Sequence, residues 1–258
     1  MQNPPLTPPV RDQRRILVVN SNTSDKVTRQ VSQTVAGLLP DVEVVGMTAA
    51  YGPEGIGGRA DLTISSLATL EVIAEHADAF DAVIVACFSD PGLAAAREVL
   101  DIPVIGIGEA SFLTAAMLGA RFSVVTVTPR VIPIVHEMVR MVGLESRFAG
   151  VTIMSSEALS AADPLPYLQA GVEDAVRKQG AEVAVLGGAA FAGQAAALSQ
   201  RVEVPVVGSV EAAAVQALAL MRLRPGRAAA GSYAKPALKR MHGLHPALMR
   251  HMALEVNV

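Results

Sequence analysis

The chain of 258 residues contains one cysteine, no tryptophan and only 3% aromatic residues. A single thiol excludes an intramolecular disulfide framework and fits a reducing compartment. Basic residues are not in excess: the formal net charge is −3. With no basic stripe and few aromatics, nucleic acid is not an expected partner. No uncharged apolar run is long enough to span a membrane. The start, Met1 to Arg15, is proline-rich and ends in Arg14-Arg15, without the apolar core of a secretory signal. There is no P-loop, no G-x-S-x-G and no H-E-x-x-H. Gly52 to Gly58 lacks the G-x-G-x-x-G order of a dinucleotide loop and reads as a lid or pocket wall. His76 and His136 fall in helical stretches, and His242, His245 and His251 match no zinc spacing. The expectation is a soluble cytoplasmic protein with no cofactor, no metal and no membrane partner.

What is present is apolar. A hydrophobic fraction of 51% against 17% charged residues supplies the core of one large domain or two small ones. The chain also repeats itself. Arg15-Ile16-Leu17-Val18-Val19-Asn20-Ser21-Asn22-Thr23 is answered by Arg121-Phe122-Ser123-Val124-Val125-Thr126-Val127-Thr128-Pro129. Asp81 to Gly92 is answered by Glu182 to Gly193, and Pro103-Val104-Ile105-Gly106 by Pro205-Val206-Val207-Gly208. Strand-like runs over Ile16–Asn20, Val42–Met47, Ala82–Ala86, Val104–Ile107, Phe122–Thr126, Gly150–Met154, Val183–Leu186 and Val206–Val207 alternate with helical stretches. Those stretches include Asp25–Leu39, Leu62–Ala77, Pro91–Leu100, Val131–Val142 and Pro166–Gln179. This pattern predicts an α/β fold of two pseudo-symmetric lobes. Each lobe is a parallel sheet flanked by helices, with equivalent loops facing across a cleft.

Cys87 ends one of the repeated strands, in Val83-Ile84-Val85-Ala86-Cys87-Phe88-Ser89-Asp90-Pro91-Gly92. A lone cysteine is often a small buried hydrophobe. At the carboxyl end of a parallel strand it sits where α/β proteins place their chemistry. The amino end of the next helix is expected to favour thiolate and to hold the thiol pKa below that of free cysteine. Its partner in the repeat is Gly188, so the cleft has a thiol on one wall and no side chain on the other. Asn20, Asn22, Thr23, Thr126 and Thr128 lie at strand-to-helix loops, where they can grip a carboxylate or imide carbonyl or cap helices. Asp90 reads as a cap of the helix that follows it, and Glu109 and Glu211 as acids at helix starts.

The chain resembles the aspartate/glutamate/hydantoin racemase family, and most its hydantoin and allantoin racemase branch. Asn20-Ser21-Asn22-Thr23-Ser24 is similar to that branch's Asn-Pro-Asn-Thr-Ser loop, and Gly52-Pro53-Glu54-Gly55-Ile56 to its Gly-Pro-x-Ser-Ile loop. Ala86-Cys87-Phe88-Ser89-Asp90-Pro91-Gly92-Leu93 follows its first-cysteine motif, and Gly231-Ser232-Tyr233-Ala234-Lys235-Pro236 a tail motif. The departure is Leu186-Gly187-Gly188-Ala189-Ala190-Phe191, where the family writes Leu-Gly-Cys-Ala-Gly-Met. The resemblance implies a first lobe over 15–109 completed by 210–258, a second over 110–209, and a homo-oligomer. It implies cysteine-dependent, cofactor-independent proton transfer on an anionic or imide-like small molecule. Cys87 is the expected catalytic group. Asn20, Ser21, Asn22 and Thr23 are expected to contact substrate from one loop. Phe88, Thr126, Thr128, Gly188 and Ala189 complete the expected set.

Family members racemise with two thiols, one on each face of the carbon. Residues 188–190 offer no titratable side chain, so racemisation of simple hydantoins is expected to be weak. Three functions stay open on the sequence: racemisation with another proton source, a one-thiol reaction such as decarboxylation, isomerisation or C–C cleavage, and silent ligand binding. The resemblance permits the second, because the family's relatives include a decarboxylase with one of the two cysteines.

Overall fold

A computed structural model describes residues 13–236 and 242–252; the proline-rich start discussed above lies almost wholly outside the described residues. The first unit runs β1 (Arg14–Asn20), α1 (Asp25–Leu38), β2 (Val42–Thr48), α2 (Arg59–His76), β3 (Ala82–Val85), α3 (Leu93–Val99), β4 (Val104–Gly106) and α4 (Ile107–Ala115). The second repeats the order as β5 (Phe122–Thr126), α5 (Ile132–Met141), β6 (Phe148–Ile153), α6 (Leu165–Gln179), β7 (Val183–Leu186), α7 (Ala195–Leu198), β8 (Val206–Gly208) and α8 (Ser209–Leu223). A last helix, α9 (Pro246–Met252), packs on α2, where His245 and His251 meet Glu75 and Asp78.

Both sheets are fully parallel and have matching orders, β2-β1-β3-β4 and β6-β5-β7-β8. The expected two-lobed α/β fold is thus present, with β5 in the place of β1 and β7 in the place of β3. The central strands are apolar without alternation because both faces are covered. Ile16, Val18, Ile84 and Ile105 of the first sheet share one core with Val124, Val185 and Val207 of the second, and with Phe112 of α4 and Val210 and Ala214 of α8. Leu17, Val19, Val83 and Val85 point the other way, onto α2 and α3. Val125, Ala184 and Leu186 do the same toward α6 and α7. Helices α1, α4, α5 and α8 therefore form a shared layer between the sheets.

The boundaries drawn from the sequence differ in detail. The helix expected from Pro91 begins at Leu93, because Gly92 takes a left-handed conformation (φ 76°). Its start, and with it the expected amino-terminal field, lies beyond the turn Phe88–Gly92. The lobe boundary at 109/110 falls inside α4, and that at 209/210 inside α8. Both helices are buried on most sides, which erases the amphipathic signal that marks helices in sequence. Among the described residues no helix is long and apolar enough to cross a membrane.

Candidate active site

Strands β3 and β7 end alike: Ala86 N–H donates to Val19 O at 2.8 Å, and Gly187 N–H to Val125 O at 2.9 Å. One residue further on, Cys87 and Gly188 open onto the same cleft of ≈350 Å³. That volume is at the small end for ligand cavities. Cys87, Phe88 and Ser89 form one wall, and Gly187 to Phe191 the other. Phe88 stacks edge-on against Phe112 and also approaches Gly187, where any Cβ would strike Val124. Gly187 is therefore needed for the walls to come this close.

Cys87 is 9% exposed, enough to be reached only from the cleft. Burial pushes its thiol up to about 12, the Ser89 N–H opposes this, and the Asp90 carboxylate adds to it. This corrects the expectation of a depressed thiol pKa. The dominant effect is loss of water, and α3 starts too far along the chain to offset it. The resting group is a neutral thiol.

Asp90 does cap a helix, but α4 rather than α3. Its carboxylate accepts from Gly108 N–H at 3.0 Å and Glu109 N–H at 2.7 Å. It reaches them from a left-handed conformation (φ 46°), and only a glycine at 106 leaves it room. Burial holds this carboxyl up at about 7, against the pull of those two N–H groups. The Cys87 turn is thereby tied to the amino end of α4. Glu109 forms a two-pronged pair with Arg97 at 2.7 and 3.0 Å, and Glu211 accepts from Gly193 N–H at 2.9 Å. Both acids are structural.

Of the polar loop residues expected to meet substrate, Asn22, Thr126 and Thr128 line the cleft, as do Phe88, Gly188 and Ala189. Asn20, Ser21 and Thr23 are not among the residues that line it. Asn20 is fully buried, and its amide nitrogen donates to Asn22 Oδ1 (2.8 Å), Ser24 O (3.0 Å) and Thr28 Oγ1 (3.0 Å). It braces the loop from behind. Ser21 is also fully buried, and Thr23 N–H is held by Pro53 O at 3.1 Å. Asn22 Oδ1 also accepts from Ser24 N–H at 2.9 Å, a side-chain turn within the loop.

Lys26, Gln30 and the loop Glu54–Ile56 also line the cleft, and sequence reasoning did not single them out as ligand contacts. Gln30 Nε2 donates to Ala190 O at 2.9 Å and to Ala192 O at 3.2 Å, which fastens α1 to the second lobe. Lys26 lies one turn before it on the same face of α1. A cation in the first turn is at the unfavourable end of the helix dipole, and that placement was the available signal. Glycine-rich loop 52–58 forms a wall, as one of its sequence readings held, and Arg59 behind it pairs with Glu137 of the second lobe at 2.6 Å. A second cavity of ≈370 Å³ lies behind Ser89 and Asp90 but does not include Cys87. Only the first of the two is lined by Cys87.

The model of the Asp/Glu/Hydantoin racemase family matches residues 16–217. A hydantoin racemase of Paenarthrobacter aurescens is 34% identical over 232 residues, covering 87% of this chain and 98% of its own. The solved allantoin racemase from Klebsiella pneumoniae is similar with a TM-score of 0.85 and 30% identity, over 92% of this chain and 99% of that one. The allantoin racemase of Pseudomonas fluorescens gives 0.84 and 34%, over 89% and 100%.

Proposed function

The chain belongs to the Asp/Glu/hydantoin racemase family, and from that premise we propose that it moves a proton at a carbon next to a carbonyl, with Cys87 as the group on one face. The substrate class is a hydantoin-like or amino-acid-derived small molecule. The observation that carries this reading is the placement of Cys87 in the cleft, at the strand end equivalent to Gly188. A hydantoin offers imide oxygens and N–H groups. The Asn22 amide and the Thr126 and Thr128 hydroxyls are complementary to them, and would steady the enolate oxygen as charge develops there. The enclosed, largely apolar walls strengthen those contacts. As acid, the Cys87 thiol gives its proton to the planar carbon and becomes thiolate; as base, its thiolate takes the proton from the same face.

The neutral state of Cys87 favours a second reading, decarboxylation. There the bond to a carboxylate breaks, CO₂ leaves, and the electron pair stays on carbon. The thiol proton goes to that carbon, and solvent restores the thiol. Both readings are tested by proton NMR in heavy water. The enantiomer of a 5-substituted hydantoin whose ring proton faces Cys87 should exchange it in the presence of the wild type and not of Cys87→Ser. An arylmalonate should release CO₂ only if the second reading holds. Exchange of that enantiomer by Cys87→Ser at the wild-type rate would remove Cys87 from the reaction.

A further inference from the structure

We propose that Lys26 is the proton-transferring group on the cleft face opposite Cys87, in the place left empty by Gly188. This rests on the proton-transfer reading above. The residues of the Gly188 wall, Gly187 to Phe191, bring no titratable side chain of their own. The fold brings one from elsewhere. Gln30 fastens α1 to that wall through the carbonyls of Ala190 and Ala192. Lys26 stands one helical turn before Gln30 on α1, about 6 Å along the axis, between Gln30 and Asn22 in the chain. All three line the cleft with Cys87 and Gly188. Lysine carries its nitrogen on a four-carbon stem with freely rotating donors, so it can follow a carbon held between the walls. Among the described residues no ion pair engages it. The other charged side chain on the lining is Glu54, on the loop after β2.

The protons balance. For one enantiomer, the neutral Lys26 amine takes the proton from its face and becomes ammonium, while the Cys87 thiol gives its proton to the opposite face and becomes thiolate. For the other enantiomer, the Cys87 thiolate takes the proton and the Lys26 ammonium returns one. Each turnover interconverts two protonation arrangements of equal charge, and solvent resets them.

Proton NMR in heavy water on each pure enantiomer of a 5-substituted hydantoin tests this in the full chain. Lys26→Gln should lower racemisation by about 10²–10⁴-fold, the usual worth of a positioned acid or base. It should abolish exchange of the enantiomer whose proton faces the second lobe, and leave exchange of the other within a few-fold of wild type. Lys26→Arg keeps the positive charge but stays protonated, so it should behave as Lys26→Gln does. Recovery of wild-type racemisation in Lys26→Arg would show that the position supplies charge alone, and would overturn the assignment. So would undiminished exchange of both enantiomers in Lys26→Gln, or loss of the second-lobe exchange in Glu54→Gln alone. Absence of exchange by the wild type with either enantiomer would instead overturn the proton-transfer reading, and this assignment with it.

Discussion

Gly188→Cys should convert the bare wall into a second thiol wall. Its cost can be worked out from the surroundings of residue 188. The backbone there is extended (φ 165°), which any residue adopts, so no strain arises from the chain itself. A Cβ would lie 3.2 and 3.4 Å from Cδ2 and Cε2 of Phe191, a ring that is 2% exposed. The ring must yield by a few tenths of an ångström, which places the cost near the low end for overpacking, about 1 kcal/mol. For a chain of this size that lowers Tm by roughly 2–4 °C. The gain is a thiol facing Cys87 across the cleft, worth up to about 10²–10⁴-fold in proton transfer. Placed on Lys26→Gln, Gly188→Cys should raise exchange in heavy water, followed by proton NMR on each pure enantiomer, selectively for the one whose proton faces the second lobe. Coupling this change with Cys87→Ala should leave only that exchange. A double variant that keeps its Tm within a few degrees and exchanges no faster than Lys26→Gln alone would show that residue 188 does not face the reacting carbon.

Cys87→Ala should abolish racemisation, and exchange of the enantiomer whose proton faces Cys87, with Tm nearly unchanged, since the thiol borders the cleft; calorimetry and the exchange assay together decide this. With the thiol pushed up to about 12, alkylation by iodoacetamide at pH 7 should be more than about a hundredfold slower than for a free cysteine. The rate should climb steadily with pH to at least 11, and a plateau near pH 8.5 would contradict the burial argument. Asp90 should shape stability against pH. Its folded value is about 7 against 3.8 when unfolded, so the folded chain retains a proton that the unfolded chain releases between those values. The stabilisation from this proton is complete below about pH 4 and lost as pH rises through 7. Urea melts of wild type and Asp90→Asn between pH 4 and 8 should differ in that slope, and equal slopes would refute it.

The two lobes were legible because a parallel strand covered on both faces is written as an unbroken apolar run, and Ile16–Val19 and Val183–Leu186 are such runs. Cys87 and Gly188 stand out because the repeat aligns them. What stayed hidden depends on long-range packing. Asn20 and Asn22 look equivalent in sequence, yet one is consumed in bracing the other. Lys26 comes to line the cleft through α1, which Gln30, four residues on, fastens to carbonyls some 160 positions away. The thiol pKa follows the same rule: a helix start is visible locally in the sequence, and how deeply a residue is buried is not.

The position of α8 carries a consequence for how the chain comes together. It follows the last strand of the second sheet, yet it packs on α1, α4, β3 and β4 of the first, and Gln216 holds Ala110 O at 2.8 Å and Thr114 Oγ1 at 3.0 Å. As the protein emerges from the ribosome, the first lobe is made first but keeps an apolar face open. It is covered only once residues 209–223 have been synthesised and swing back. The earlier half is thus finished by the later one, and a chain stopped before Ser209 should aggregate through that face rather than persist as a folded lobe.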